Sequence, residues 1–167
     1  AIAVSESSTW SRRSAAERRA ILEEVARYMS TQRAESIAVM SRDAGKTVAE
    51  ADPEVSEAID FARFYASAID DEKSLPIGPV LVIPPWNFPF AIPAGGIFAA
   101  LAAGNPVLFK PAPETVATAW VLAQQLWQAG IPVDALQFLP SLDDENGRYL
   151  VTHPGVKALI LTGGFET

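Results

Sequence analysis

Apolar positions along the chain follow two different rhythms, and the change between them falls near residue 75. In the first part the period is helical. Ser14, followed three residues later by Glu17, has the form of a capping box, and Ile21, Leu22, Val25 and Met29 then recur at the spacing of one helix face. A second helix is predicted over Arg33 to Asp43, with Ile37 and Met40 on its apolar side and Gly45 closing it. A third is predicted from about Pro53, a favoured first-turn residue, through Val55, Ile59, Ala62 and Tyr65. Phe64 and Tyr65 near its end are expected mostly in the core, with an oligomer contact as the lesser alternative.

After residue 75, short apolar runs alternate with helical segments. GPVLVI (78–83), PVLFK (106–110), ALQFL (135–139) and VKALILT (156–162) predict strands. Ile92 to Ala103 predicts a helix in which Gly95-Gly96 points to close helix packing. Glu114 to Ala129 predicts another, with Val116, Trp120, Ala123 and Trp127 in phase and Gly130 at its end. Continuously apolar strands separated by helices belong in a parallel sheet covered on both faces. The expected fold is therefore α/β: a Rossmann-like open parallel sheet with flanking helices (74–167), preceded by an N-terminal helical segment (1–73).

Composition narrows the function classes. With 167 residues, 49% of them apolar, the chain can bury one sizeable core. A net charge of -7 argues against a nucleic-acid or anionic-membrane partner, each of which calls for a basic stripe. The absence of cysteine removes disulfides, thiolate metal sites and thiol nucleophiles from this chain. A single histidine, His153, supplies too few ligands for a protein zinc site, and its setting in His-Pro-Gly is that of a turn. Asp143, Asp144 and Glu145 read as a solvated or helix-starting group rather than a metal cage, so no metal is expected. The opening AIAVSESSTWSRR lacks the order of a signal peptide, and the apolar stretch from Phe90 to Leu108 is broken by proline and glycine. A cytoplasmic location without a membrane span is expected.

Charge distribution directs attention to particular residues. Residues 1–73 carry ten of the thirteen basic and fourteen of the twenty acidic side chains, whereas between Ser74 and Val133 the only charges are Lys110 and Glu114. Open α/β sheets bind ligands beyond the carboxyl ends of their strands. PPWN follows the first predicted strand, Lys110 ends the second, and TGG follows the last. Lys110 at a strand end has two readings: it snorkels to water, or it meets a phosphate or ribose hydroxyl. Glu114 is explained by the dipole of the helix it begins. Asn87 either caps the next helix or donates to an anion, with Trp86 and Phe88 keeping water from it. Gly163-Gly164 is either a plain turn or a pyrophosphate loop, and neither GxGxxG nor GxxxxGK[ST] occurs.

Taken in order, DAGKT (43–47), PPWNFPF (84–90), ALAAGNPVLFKPAPET (100–115), AGIPVDALQFL (129–139) and HPGVKALILTGGFET (153–167) resemble the cofactor-binding portion of the aldehyde dehydrogenase superfamily. EVSEAIDFARFYA (54–66), PVDALQFLP and TGGFET look most like the dehydrogenases of 1-pyrroline-5-carboxylate, including that domain of bifunctional proline-utilisation proteins. The resemblance implies an incomplete aldehyde dehydrogenase fold. It also implies a chemistry in which a cysteine thiolate attacks an aldehyde, the oxyanion is held by hydrogen-bond donors, hydride passes to a nicotinamide, and a glutamate-activated water releases the acid. The implied substrate is L-glutamate 5-semialdehyde. By the same resemblance Asn87 is an oxyanion donor, with Trp86 lining the same region, and Ile83, Pro84 and Pro85 border the nicotinamide. Lys110 contacts the adenosine ribose, Ala112 and Glu114 lie in the same loop, and Gly163, Gly164 and Phe165 face the pyrophosphate. NAD is the implied cofactor, with NADP as the alternative, because Lys110 tolerates a 2'-phosphate while Glu114 favours its absence. A homo-oligomeric parent protein is implied as well.

Departures from the family pattern carry expectations of their own. Gly164 replaces a common serine, Ala112 offers no side-chain donor, and KPAPE holds one residue more between Lys110 and Glu114 than is usual. Glu166 is not the family's catalytic glutamate. A longer segment, often a hairpin of oligomer contact, usually precedes PWN where about DDEKSLP stands here. With no cysteine, and with the family's catalytic glutamate and substrate domain lying beyond TGGFET, this chain is expected to be part of an enzyme and inactive alone.

Overall fold

Two carboxylates and a guanidinium from the helical part of the chain, those of Glu54, Asp43 and Arg18, account for much of how the α/β part is held. In the computed structural model, residues 1–70, 75–142 and 144–164 are described. The helices of the first part are α1 (Ile2–Glu6), α2 (Ala15–Thr31), α3 (Arg33–Asp43) and α4 (Val48–Ala68), with a 3-10 turn at Trp10–Arg12. Helix α2 begins with the predicted capping box: Ser14 Oγ accepts from the Glu17 amide, and the Glu17 carboxylate accepts from the Ser14 amide at 2.8 Å. The Ser14 hydroxyl also donates to that carboxylate (2.8 Å), and with two donors favouring the ionised acid Glu17 titrates below its ordinary range, chiefly through the bond to the Ser14 backbone. Helix α3 has the predicted bounds, and Gly45, two residues beyond it, adopts φ +69°, a conformation that favours glycine.

Two expectations for α4 fail. The helix starts at Val48, not Pro53, because Thr47 and Glu50 form a second capping box that sets the start one and a half turns earlier. Pro53 consequently lies inside the helix. Phe64 is not core: at 60% exposure it lies off the face formed by Val55, Ala58, Ile59, Ala62 and Ala66, while Tyr65 packs against the core.

The α/β part continues with β1 (Val80–Ile83), α5 (Ala91–Ala102), β2 (Val107–Phe109), α6 (Val116–Gln128), β3 (Leu136–Phe138), α7 (Glu145–Thr152) and β4 (Ala158–Leu161). All pairings are parallel, in the order β3-β2-β1-β4. The chain thus steps outward from β1 through β2 to β3 and then returns to add β4 on the other side of β1. The gap between the carboxyl ends of β1 and β4 is the switch point at which such sheets open a crevice. One continuous core spans both parts of the chain, from Leu22, Met29 and Val55 to Phe98, Val107 and Leu136, all buried.

Helix α5 shows how the two parts are joined. Its amino end receives the buried Glu54 carboxylate of α4, which accepts from the amides of Phe90 (2.6 Å) and Ala91 (3.1 Å). At the carboxyl end, the buried Arg18 of α2 donates from Nε to the Ala102 carbonyl (3.1 Å), and Trp10 Nε1 donates to that of Leu101 (2.9 Å). An anion at the amino end and a cation at the carboxyl end both match the helix dipole. Gly95 and Gly96 provide the expected close packing: a Cβ at Gly95 would lie 3.2 Å from the Phe61 ring of α4, and one at Gly96 would lie 3.0 Å from Val82. The AAGN turn is structural as well. Gly104 has φ +83°, and the buried Asn105 accepts from the amides of Ile77 and Gly78, pinning the chain ahead of β1. The expected hairpin position overlaps residues 71–74, which lie outside the described residues.

Candidate active-site cleft

The strand ends are aligned by backbone hydrogen bonds that continue past the strands. Lys110 N–H donates to the Val82 carbonyl (3.0 Å), and Thr162 N–H donates to that of Ile83 (3.0 Å). Ile83 and Pro84, Lys110 and Thr162 therefore open onto a common edge. A cleft of about 580 Å³ lies there.

Ten of the residues singled out from sequence line this cleft. Ile83, Pro84, Pro85, Trp86 and Asn87 come from the β1–α5 loop; Lys110, Ala112 and Glu114 come from the β2–α6 connection; Gly163 and Gly164 follow β4. Phe165 and Glu166 lie outside the described residues. Phe88, Ile92, Pro113 and Thr162 also line the cleft without having been singled out for it. Ile92 was legible only as the start of the predicted helix, and Thr162 only as the end of the last predicted strand.

Three alternatives for these side chains are resolved by position. Lys110 does not snorkel: only 1% of it is exposed, because the residue closes a strand in the middle of the sheet, with β1 on one side and β3 on the other. Asn87 does not cap α5, whose N-cap is Phe90 without a side-chain hydrogen bond; Glu54 has taken those amides. Nor do Trp86 and Phe88 shield Asn87, since Trp86 is 55% and Phe88 46% exposed and Asn87 is itself exposed at the cleft mouth. Glu114 is exposed in a 3-10 turn (Pro113–Thr115) ahead of α6. The third amide of α6, that of Thr118, donates instead to Asp43 Oδ2 at the end of α3 (2.7 Å), and the Thr118 hydroxyl donates to the same oxygen (2.9 Å).

The remaining polar residues have local duties. His153 Nδ1 accepts from the Gly155 amide at 2.9 Å, the turn-stabilising role expected of it. Asp144 caps α7 by accepting from the Asn146 amide, whereas Asp143 is outside the described residues. Among the described residues no helix is long and apolar enough to cross a membrane.

A parallel sheet with its cleft at the switch point is shared by many enzymes; the ordered motifs around it are not. A model of the Aldehyde dehydrogenase family matches residues 1–167. The chain belongs to that family. Among solved structures, proline utilization A (PutA) from Corynebacterium freiburgense superposes with a TM-score of 0.87 at 47% identity, over 92% of this chain and 17% of that one. An NAD-dependent aldehyde dehydrogenase from Sinorhizobium meliloti gives a TM-score of 0.87 at 26% identity, over 95% and 36%. The 1-pyrroline-5-carboxylate dehydrogenase of Geobacillus thermodenitrificans is 39% identical over 93% of this chain and 33% of its own length. This aldehyde dehydrogenase chain spans about a third or less of the curated relatives it matches.

The cleft has features that suit a dinucleotide. It sits at the switch point, Gly163 and Gly164 present backbone without side chains, and Lys110 and Glu114 bring charge to a lining that also includes Ile83, three prolines and Ala112.

Proposed function

We propose that the complete protein to which this chain belongs is an NAD-dependent dehydrogenase that oxidises L-glutamate 5-semialdehyde, the open form of 1-pyrroline-5-carboxylate, to L-glutamate. The observation that carries the reading is the convergence of three loops, each bearing a family motif, on one cleft at the sheet's switch point. The substrate follows from the similarity to PutA and 1-pyrroline-5-carboxylate dehydrogenases, and the cofactor from the family and the NAD-dependent relative. NADP is the alternative dinucleotide. Bound in the cleft, the nicotinamide supplies the hydride acceptor.

The chain's own residues bind and orient. Lys110 offers a cation to the ribose and phosphate side of the dinucleotide, and its burial makes that charge stronger than it would be in water. Gly163 and Gly164 allow close approach of the diphosphate to backbone amides. Ile83, Pro84 and Pro85 form the apolar border of the nicotinamide. The Asn87 carboxamide, at the mouth of the cleft, donates a hydrogen bond where negative charge develops on the aldehyde oxygen. The nucleophilic thiol and the general base come from outside this chain, which contains no cysteine. The chain alone is therefore inactive.

Titration of the complete protein with NAD and with NADP, alongside NAD reduction in the presence of 1-pyrroline-5-carboxylate, tests this reading. Tighter binding of NAD and turnover with that substrate are expected. Lys110→Ala is expected to weaken NAD binding by about tenfold or more. Absence of turnover with any aldehyde in the complete protein would overturn the enzyme reading; unchanged NAD affinity in Lys110→Ala would remove Lys110 from the binding site.

A further inference from the structure

The DAGKT turn lies beside Trp86, Asn87 and Phe88 of the β1–α5 loop, and the cofactor reading gives it no task. Its side chains are nevertheless committed. Lys46 forms an ion pair with Glu54, whose side chain is 1% exposed, and the Lys46 ammonium lies 4.3 Å from the centroid of the Phe88 ring. The other oxygen of Glu54 accepts from the amides of Phe90 and Ala91. Lys46 and Glu54 thus hold the β1–α5 loop at two points, one residue and three residues beyond Asn87. Three residues before Lys46, Asp43 holds the first turn of α6 through Thr118, and α6 follows the loop that carries Lys110 and Glu114. Gly45, at φ +69°, turns the chain so that Asp43 and Lys46 diverge toward two different helices.

We infer that residues 43–54 form a brace whose two arms position the two halves of the cleft: Lys46 and Glu54 fix the loop presenting Asn87, and Asp43 fixes the loop presenting Lys110. None of the three touches the reacting atoms; they are positioning residues. The argument is one of geometry and satisfaction. Two amides at the amino end of a buried helix need an acceptor, and an acceptor charged and buried needs a cation. Glu54, only 2% exposed, fills the first role and Lys46 the second. A neighbouring hydrogen-bonded amide would satisfy the helix equally well. What the Lys46–Glu54 pair adds is a tie between the helix end and the Phe88 face of the loop, so that displacement of one displaces the other. A shift of about 1 Å in a group that must meet a developing charge costs on the order of 10²-fold in rate.

The inference rests on the enzymatic reading, and its test separates the two. In the complete protein, Glu54→Gln and Lys46→Met are each expected to lower kcat about 10²-fold with NAD affinity changed less than threefold, whereas Asp43→Asn is expected to raise the KM for NAD at least fivefold with a smaller effect on kcat. The paired variant Lys46→Met/Glu54→Gln, which removes both charges together, is expected to be no worse than either single change. Amide hydrogen exchange supplies a readout independent of turnover: exchange at Phe90 and Ala91 is expected to rise in Glu54→Gln and Lys46→Met, and exchange at Thr118 in Asp43→Asn, with the sheet amides unaltered. Unchanged exchange and kcat in folded variants would overturn the brace. Loss of folding in all three single variants, or a uniform rise in exchange across the sheet, would also overturn it, by showing a general stabilising role. If the parent protein shows no aldehyde oxidation at all, the enzyme reading falls and the exchange pattern alone decides whether the loops are anchored from residues 43–54.

Discussion

The two sides of the cleft are built differently. On the β1 and β2 side every strand residue but Ile83 is buried, the helices that follow are fixed at their amino ends by Glu54 and Asp43, and the residues lining the cleft emerge from anchored loops. On the β4 side the strand alternates between half-buried and exposed positions, with Leu159 at 41% and Leu161 at 45% exposure. Among the described residues, β1 is the only strand paired with β4. The contrast teaches that this chain determines the position of Asn87 and Lys110 by its own contacts, while the glycine loop after β4 is held by one strand pairing.

That contrast can be broken from either side. Leu81→Ala, at a fully buried position of β1, is expected to destabilise the chain by about 2–5 kcal/mol, read as a lower urea midpoint with an unchanged m-value. Gly96→Ala is expected to cost roughly 1–3 kcal/mol, because its Cβ would sit 3.0 Å from Val82 and 3.3 Å from Ile160, two β-branched side chains of the sheet that would have to give way. Ser14→Ala is expected to lower the melting temperature by roughly 2–5 °C at neutral pH, through loss of a helix cap. The same variant should be less sensitive to acid. Glu17 has a folded-state pKa held below its unfolded value, so it contributes stability above the ordinary glutamate range that is lost as pH falls through the depressed folded value. Glu50, bonded in the same way to Thr47, follows the same rule. Smallest of all, Leu161→Ala on β4 is expected to change stability by less than about 1 kcal/mol. A loss at Leu161 as large as that at Leu81 would erase the difference between the two sides.

Local signals in the sequence were enough for the strands, for α2 and α3, and for the glycine pair in α5. Each of these depends on residues close together in the chain: an uninterrupted apolar run, a Ser-x-x-Glu box, a helical period. Helix α4 starts earlier than Pro53 suggests because Thr47-Val-Ala-Glu50 is a capping box of the same form as Ser14-x-x-Glu17, and the box rather than the proline sets the first turn. The ends of α5 and α6 were not legible, since their partners lie 36 and 75 residues away in the chain. The same distance explains why the capping alternative for Asn87 fails: the local sequence offers a carboxamide next to a helix start, and only the fold brings Glu54 there first. Lys110 was recognisable as an isolated charge, but its burial depends on which strands flank it. The cleft itself was legible as a set of strand ends, because parallel topology sends every strand end to one edge.

Anchoring of Asn87 matters only if the residue works as an oxyanion donor, and the kinetic comparison of Asn87→Ala with the parent enzyme tests this most directly. In the complete protein the substitution is expected to lower kcat by about 10²-fold or more while leaving the Kd for NAD within twofold. Equal turnover in variant and parent, or a loss explained wholly by weaker NAD binding, would contradict the account.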